Sequence, residues 1–228
     1  MNEKDILLID KPKGISSFGV IRILRQKLNI RKMGHSGTLD PLATGLLLVG
    51  VGKGTKKLDQ LLKLPKVYIA EILLGIKTTT GDLEGQILEE KGVEISSVPE
   101  DVHRDRNPLY METINNALKG MVGKLKLAVP IFSAVKHEGI PLYAFARRGG
   151  NIVSPPTREM EIFNIKLLDH FPHGKGYVLK VELEVKSGTY IRSIAEEIGR
   201  RLSVPATVKE LRRTRVGDFR VEDAEKLV

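Results

Sequence analysis

One carboxylate stands in a stretch suited to close approach: Gly34-His35-Ser36-Gly37-Thr38-Leu39-Asp40-Pro41-Leu42-Ala43-Thr44-Gly45-Leu46-Leu47. Gly34, Gly37 and Gly45 remove side chains around Asp40 and leave room for a planar ligand or another backbone. Read residue by residue, this is a tight loop that presents an acid. The plainer reading is a turn or helix start, because Asp before Pro is a common cap. His35 in the same loop reads, taken alone, as a structural hydrogen-bonder. A second group is Lys186-Ser187-Gly188-Thr189-Tyr190-Ile191-Arg192, which puts a phenol and a guanidinium where a strand turns into a helix. The third, Lys66-Val67-Tyr68, sets a phenol in a strand. Their plainer readings are a surface ion pair for Arg192 and a core ring for Tyr68.

Other chemistries are thinly represented. The chain has no cysteine, which excludes a disulfide scaffold, a thiolate zinc site and a cysteine nucleophile. His170 and His173 are near each other but lack a third ligand or a metalloprotease pattern, so no metal is expected. Gly50-Val51-Gly52-Lys53-Gly54-Thr55 has the look of a phosphate loop. Leu47 stands where that pattern needs glycine, however, and Gly54 where it needs Ser or Thr.

Charge points to the partner. Thirty-seven Lys and Arg against 28 Asp and Glu leave +9 and a pI near 9.6, which suits a polyanion. Arg22, Arg25, Lys27, Arg31 and Lys32 cluster before the Asp40 loop, and Arg200, Arg201, Lys209, Arg212, Arg213 and Arg215 cluster later. With 228 residues the chain can bury a core without staples. No run approaches the ~20 apolar residues of a membrane span, and the N-terminus lacks a signal-peptide pattern. A soluble, cytoplasmic protein is expected.

Several elements must hold these residues. Ile6 to Ile9 reads as a strand, and Ser16 or Ser17 caps a helix with Ile21, Leu24 and Leu28 inside. Leu46 to Val51 is a strand, Thr55 to Leu64 a helix, and Val67 to Leu74 a strand with Tyr68, Ala70, Ile72 and Leu74 on one side. Residues 90–108 are polar and read as a mobile insertion or linker. Ile114, Leu118 and Met121 mark a helix, Leu125 to Val135 an extended segment, and Pro141 to Arg148 a short helix ended by Gly149-Gly150. Glu159 to Leu168 is a strand whose alternation slips as at a bulge. Leu179, Val181, Leu183 and Val185 alternate with charged residues as in a half-buried antiparallel strand. A helix with Ile191, Ile194, Ala195, Ile198 and Leu202 inside follows, then a basic strand from Val208 to Val216 and a short helix from Val221. Strands and helices mix without regular βαβ repetition, so the class is α+β.

The three groups above, together with Asp10-Lys11-Pro12-Lys13-Gly14, Phe132-Ser133-Ala134-Val135-Lys136 and Leu211-Arg212-Arg213, give the chain its family likeness. It resembles the TruB family of pseudouridine synthases, which isomerise uridine in the T-loop of tRNA. The likeness runs from about Asp10 to Ala224. It implies a mixed, largely antiparallel sheet flanked by helices around a basic cleft, with residues 1–228 forming one catalytic domain and no C-terminal PUA domain. Asp40 is then the nucleophile, with Arg192 set against it and Tyr68 stacked on the target uracil. His35 would fill the gap left by a flipped base, Tyr190 would form pocket wall, and Lys11 would support the site. Leu211 would line it, while Arg212 and Arg213 would touch phosphates. Asp82 falls near an acidic family position in a degraded context and is weak. The resemblance implies no cofactor, a monomer, and the T-stem-loop of tRNA as substrate. The alternatives are action on another RNA and a non-catalytic RNA-folding chaperone. A purely binding protein has little use for an Asp40, Tyr68 and Arg192 set.

Overall fold

The computed structural model describes residues 5–93, 108–137, 139–148 and 155–227. Along the chain run β1 (Ile6–Lys11), α1 (Ser17–Leu28), β2 (Met33–His35), β3 (Thr44–Val51), a 3₁₀ turn (Gly52–Lys57), α2 (Leu58–Lys63) and β4 (Lys66–Leu74). Next come β5 (Ile76–Thr78), β6 (Ile87–Glu90), α3 (Pro108–Lys119), β7 (Gly123–Ala128), β8 (Lys136–His137), β9 (Ile140–Pro141) and α4 (Leu142–Arg147). The chain continues with β10 (Thr157–His173), β11 (Gly176–Val185), α5 (Ile191–Arg201), β12 (Ala206–Val216), β13 (Phe219–Arg220), a 3₁₀ turn (Val221–Asp223) and β14 (Glu225–Lys226). The class is α+β, with a mixed, largely antiparallel sheet and flanking helices.

Two units partition the chain. The first holds Met1–Ile69, Leu183–Gly188 and Glu210–Val228. Within it the strands run β14-β1-β3-β12-β4-β11. β1 pairs antiparallel with β3, and β12 pairs parallel with β3 in the register Arg212 to Thr44 and Arg213 to Gly45. The apolar run of β3 is buried on both faces, which is why it does not alternate with polar residues. Leu47, Val49 and Val51 join Val20, Ile21 and Leu24 of α1 and Met33 of β2 in one cluster. Leu46 and Leu48 join Val216 and Val221 in another. Ser16 caps α1 by accepting from the Gly19 amide at 3.0 Å, and Asn29 closes the helix in the left-handed region.

The second unit holds Ala70–Glu182 and Thr189–Lys209. Its strands run β12-β4-β11-β10-β7, and α3 packs on β10 and α5. Ile191, Ile194, Ala195 and Ile198 are buried, at the spacing that puts them on one helical face. Leu179, Val181, Leu183 and Val185 are buried while Lys180, Glu182 and Glu184 are partly exposed, as the alternation predicts.

Several expectations need correction. Thr55 to Leu64 is not one helix. Its first part is 3₁₀, because Gly54 backs directly onto the Asp5 carbonyl and the α-turns begin only at Leu58. Leu28 is exposed at the last turn of α1, not inside. β10 continues to His173, beyond the slip in its burial between Ile162 and Ile165. β4 buries Val67 and Leu73 as well as the opposite face. The expected insertion at 90–108 lies mostly outside the described residues, as do Gly149 and Gly150.

Candidate active site

Asp40 sits in the connection between β2 and β3, and its two neighbours are clamped. On one side, Ser17 Oγ accepts from the Leu39 amide at 2.7 Å and donates to the Leu39 carbonyl at 3.0 Å. On the other, the Pro41 carbonyl accepts from the Gly14 amide at 2.8 Å and from Lys11 Nζ at 3.3 Å. The Asp40 carbonyl itself closes a turn with the Ala43 amide. Lys11 is fully buried, and its ammonium also donates to the carbonyls of Ile15 at 2.6 Å and Pro12 at 2.9 Å. Three carbonyl partners make that buried charge tolerable. Lys11 thus acts on the loop backbone. Adjacent serines divide the work, since Ser16 caps the helix and Ser17 fixes the loop.

Beneath the loop lies Arg213, only 1% exposed. Its Nε donates to the Leu46 carbonyl at 2.7 Å, Nη2 to the Gly37 carbonyl at 3.2 Å, and Nη1 approaches the Tyr68 hydroxyl at 3.5 Å. Gly37, at φ +95°, rests on the Arg213 guanidinium and the end of Lys66. β12 comes close at Gly45, where a Cβ would stand 2.2 Å from the Arg213 carbonyl. Lys66 donates to the carbonyls of Leu62 and Leu64, each at 2.6 Å, and to Ser187 Oγ at 3.1 Å. Ser187 Oγ donates in turn to the Leu62 carbonyl. Burial first, and the Arg213 charge second, bring the Lys66 ammonium down to about 8. The same two causes, in the same order, hold His35 below the usual histidine range. His35 is half-buried, and its Nδ1 has no hydrogen-bond partner among the described residues. Tyr68 is buried at 7% exposure.

Arg192 belongs to the second unit, in the first turn of α5. It is buried, with Nη1 donating to the Thr80 carbonyl at 2.8 Å and Nη2 to the Phe132 carbonyl at 3.0 Å. The Phe132 acceptor lies in a motif marked in the sequence, and the Thr80 acceptor lies in the turn just before Asp82. Asp82 organises that turn. Its carboxylate accepts from Thr80 Oγ1 at 2.5 Å and from the Glu84 amide at 3.1 Å, and its carbonyl accepts from Thr78 Oγ1 at 2.6 Å. The role of Asp82 here is structural. One turn beyond Arg192, burial pushes the Glu196 carboxyl up, against the opposing pull of Lys77 and Arg192. Tyr190 is half-buried just before α5, its amide 3.5 Å from Met160 Sδ.

Leu211 is buried on β12, on the same face as Arg213. Arg212 faces the other way and grips Asp10 with both arms, at 2.8 and 3.0 Å. The reading of Arg213 as a phosphate contact is corrected, because its guanidinium is enclosed and spent on the loop. Sequence reasoning missed Ser17, Lys66 and the inward role of Arg213. The available signal for Arg213 was strand parity with Leu211.

Known proteins resemble this chain throughout. Residues 25–191 match the family model described as TruB family pseudouridylate synthase (N terminal domain). Residues 192–228 match the one described as tRNA pseudouridylate synthase B C-terminal domain. A tRNA pseudouridine synthase B of Thermosipho melanesiensis is 42% identical over 94% of this chain and 64% of its own length. One from Fusobacterium nucleatum is 42% identical over 95% of this chain and 69% of its own. One from Endomicrobium trichonymphae is 37% identical over 98% and 89%. Among solved structures, a Cbf5-Nop10-Gar1 complex aligns with TM-score 0.67 and 29% identity over 97% of this chain and 52% of that one. An H/ACA RNP bound to a substrate RNA containing 2'-deoxyuridine aligns at TM-score 0.64 and 26% identity, over 97% and 50%.

Proposed function

The chain belongs to the TruB family of pseudouridylate synthases, and we propose that it isomerises uridine to pseudouridine in the T-loop of tRNA with Asp40 as nucleophile. The observation that carries this reading is the two-sided clamp on Leu39 and Pro41, which fixes the backbone of one carboxylate-bearing residue. A nucleophile held in place before substrate arrives avoids the entropic cost of orienting it. Relatives 42% identical to this chain are called tRNA pseudouridine synthase B, which favours tRNA as the substrate.

The reaction is balanced within the nucleotide. The bond from C1′ to N1 breaks, the uracil rotates, C5 bonds to C1′, the C5 proton leaves to solvent, and N1 takes up a proton in its place. Asp40 assists either by adding to C6 of the ring or by attacking C1′. The target is presented by flipping it out of the folded loop, at a cost of a few kcal/mol offset by stacking and phosphate contacts. In this reading Tyr68 stacks on the uracil, His35 occupies the vacated space, and Leu211 lines the pocket. Lys11 is a positioning residue acting through Pro41, and Arg192 and Tyr190 keep the roles that the family likeness implies. No cofactor is required.

The test uses a T-stem-loop oligoribonucleotide carrying uridine tritiated at C5. The protein should release tritium to water, and Asp40→Asn should release none while binding the RNA within about tenfold of the parent, since an amide is no nucleophile. Near-parental release by Asp40→Asn would reject the assignment.

A further inference from the structure

The chain's excess charge is confined to a short part of it. Residues 11–58 contain ten Lys and Arg and a single acid, Asp40, so they account for the whole +9, and the rest of the chain is neutral. Much of this stretch lies on the exposed side of α1 and in the turns beside it. Arg22, Lys27, Arg31 and Lys32 are all exposed, and among the described residues none of them meets a carboxylate. Lys53 and Lys56 share both properties. The turns are brought together by β2 and β3, because the Gly52 amide donates to the Lys32 carbonyl at 2.8 Å. Arg25 ties α1 to the same place, with Nη2 on the Met33 carbonyl at 3.0 Å.

An independent observation points to the same surface. Phe18, in the first turn of α1, is 62% exposed. The guanidinium of Arg25 sits 5.7 Å from its ring centroid. An exposed ring backed by an arginine, beside unpaired cations, is the combination that nucleic-acid-binding surfaces use for stacking and phosphate contact.

We infer that the outer side of α1 and the adjoining turns at Arg31–Lys32 and Lys53–Lys56 form an RNA-binding surface, in which the free cations take backbone phosphates and Phe18 takes a base or ribose face. The inference rests on the reading of an RNA substrate given above and adds the surface that holds it. The test is direct binding, not turnover. Affinity for the T-stem-loop oligoribonucleotide is measured across a salt series for the full chain and three variants. In the first, Arg22, Lys27, Arg31 and Lys32 are all changed to Gln. In the second, four exposed lysines elsewhere, Lys119, Lys166, Lys175 and Lys226, are changed to Gln. The third is Phe18→Ser. Thermal unfolding confirms that each is folded.

Each lost phosphate contact removes roughly 0.7–0.9 from the logarithmic salt slope. The first variant should therefore bind at least tenfold more weakly at about 0.15 M salt, with a slope shallower by about three. The second, carrying the same net charge, should keep most of the slope. Phe18→Ser should lose several-fold in affinity with the slope intact, because stacking releases no counterions. If the first variant keeps the parental affinity and slope, or if the second matches its loss, the surface is not where RNA binds. Failure of the functional reading looks different: the parent protein then releases no tritium from the same RNA, whatever the variants bind.

Discussion

The two basic clusters look alike in the sequence and differ in the folded chain. The later one is consumed internally. Arg200 and Arg201 share Glu197, Lys209 meets Glu71 at 2.7 Å, Arg212 grips Asp10, and Arg215 meets Glu184 at 2.8 Å. Arg213 is buried altogether. In the earlier cluster, Arg22, Lys27, Arg31 and Lys32 remain available to solvent, and only Arg25 is tied down. A run of cations therefore has two uses, to build a site or to hold a ligand, and the carboxylates and carbonyls that the fold brings beside them decide which. The builder cations should govern stability and geometry, and the free ones salt-dependent binding.

The strongest way to break this comparison is Arg213→Lys. Lysine keeps the charge but loses the planar fork, so at least one of the Leu46 and Gly37 carbonyls is left unpaired in the interior. A loss of about 1–3 kcal/mol in urea unfolding is expected, with a fall in single-turnover rate and an unchanged salt slope of RNA binding. Should the slope flatten while stability holds, Arg213 belongs with the ligand-holding cations.

Lys66 sharpens it through pH. Its folded value of about 8 lies below the ordinary 10.5, so between these values the unfolded chain binds the extra proton. Stability therefore rises with pH across that window, and the penalty of burying the charge is fully present below it. Comparing the parent with Lys66→Met at pH 7 and pH 9.5 should show the parent gaining relative to the variant at the higher pH. A difference that does not move with pH would mean that the ammonium is not desolvated. His35 has the same sign at lower pH: its contribution falls as pH drops below 6.5, because only the unfolded chain takes the proton readily.

The smallest effect is expected from Arg215→Gln. Its pair with Glu184 is partly exposed, so the stability change should stay within about 1 kcal/mol and the salt slope should barely move. A clear drop in slope would show that a paired arginine can leave its carboxylate for a phosphate.

What the sequence made legible follows from local rules. The alternation at Leu179–Val185 and the spacing at Ile191, Ile194, Ala195 and Ile198 are period signals that burial bears out. The capping position at Ser16 is a local hydrogen bond, and it too was readable. Arg213 was not, because an arginine beside another arginine reads as surface. Its burial depends on carbonyls at Leu46 and Gly37, far away in the chain, that no local pattern announces. The 3₁₀ turn at Gly52–Lys57 was misread for a similar reason: the close approach of Gly54 to Asp5 is a tertiary contact. Asp40 stood out through its glycine-rich setting, whereas the clamp on its neighbours comes from Ser17, Gly14 and Lys11 across a strand and a helix.

The parallel pairing of β12 with β3 has a consequence in time. The Leu46 carbonyl and the Arg213 guanidinium that binds it are 167 residues apart. Contacts of such separation are slow to form, because a long loop must close before they contribute anything. Chains are synthesised from the N-terminus, so a nascent chain exposes the Asp40 loop long before its floor exists. Until β12 emerges and docks, the carboxylate is present without its final setting.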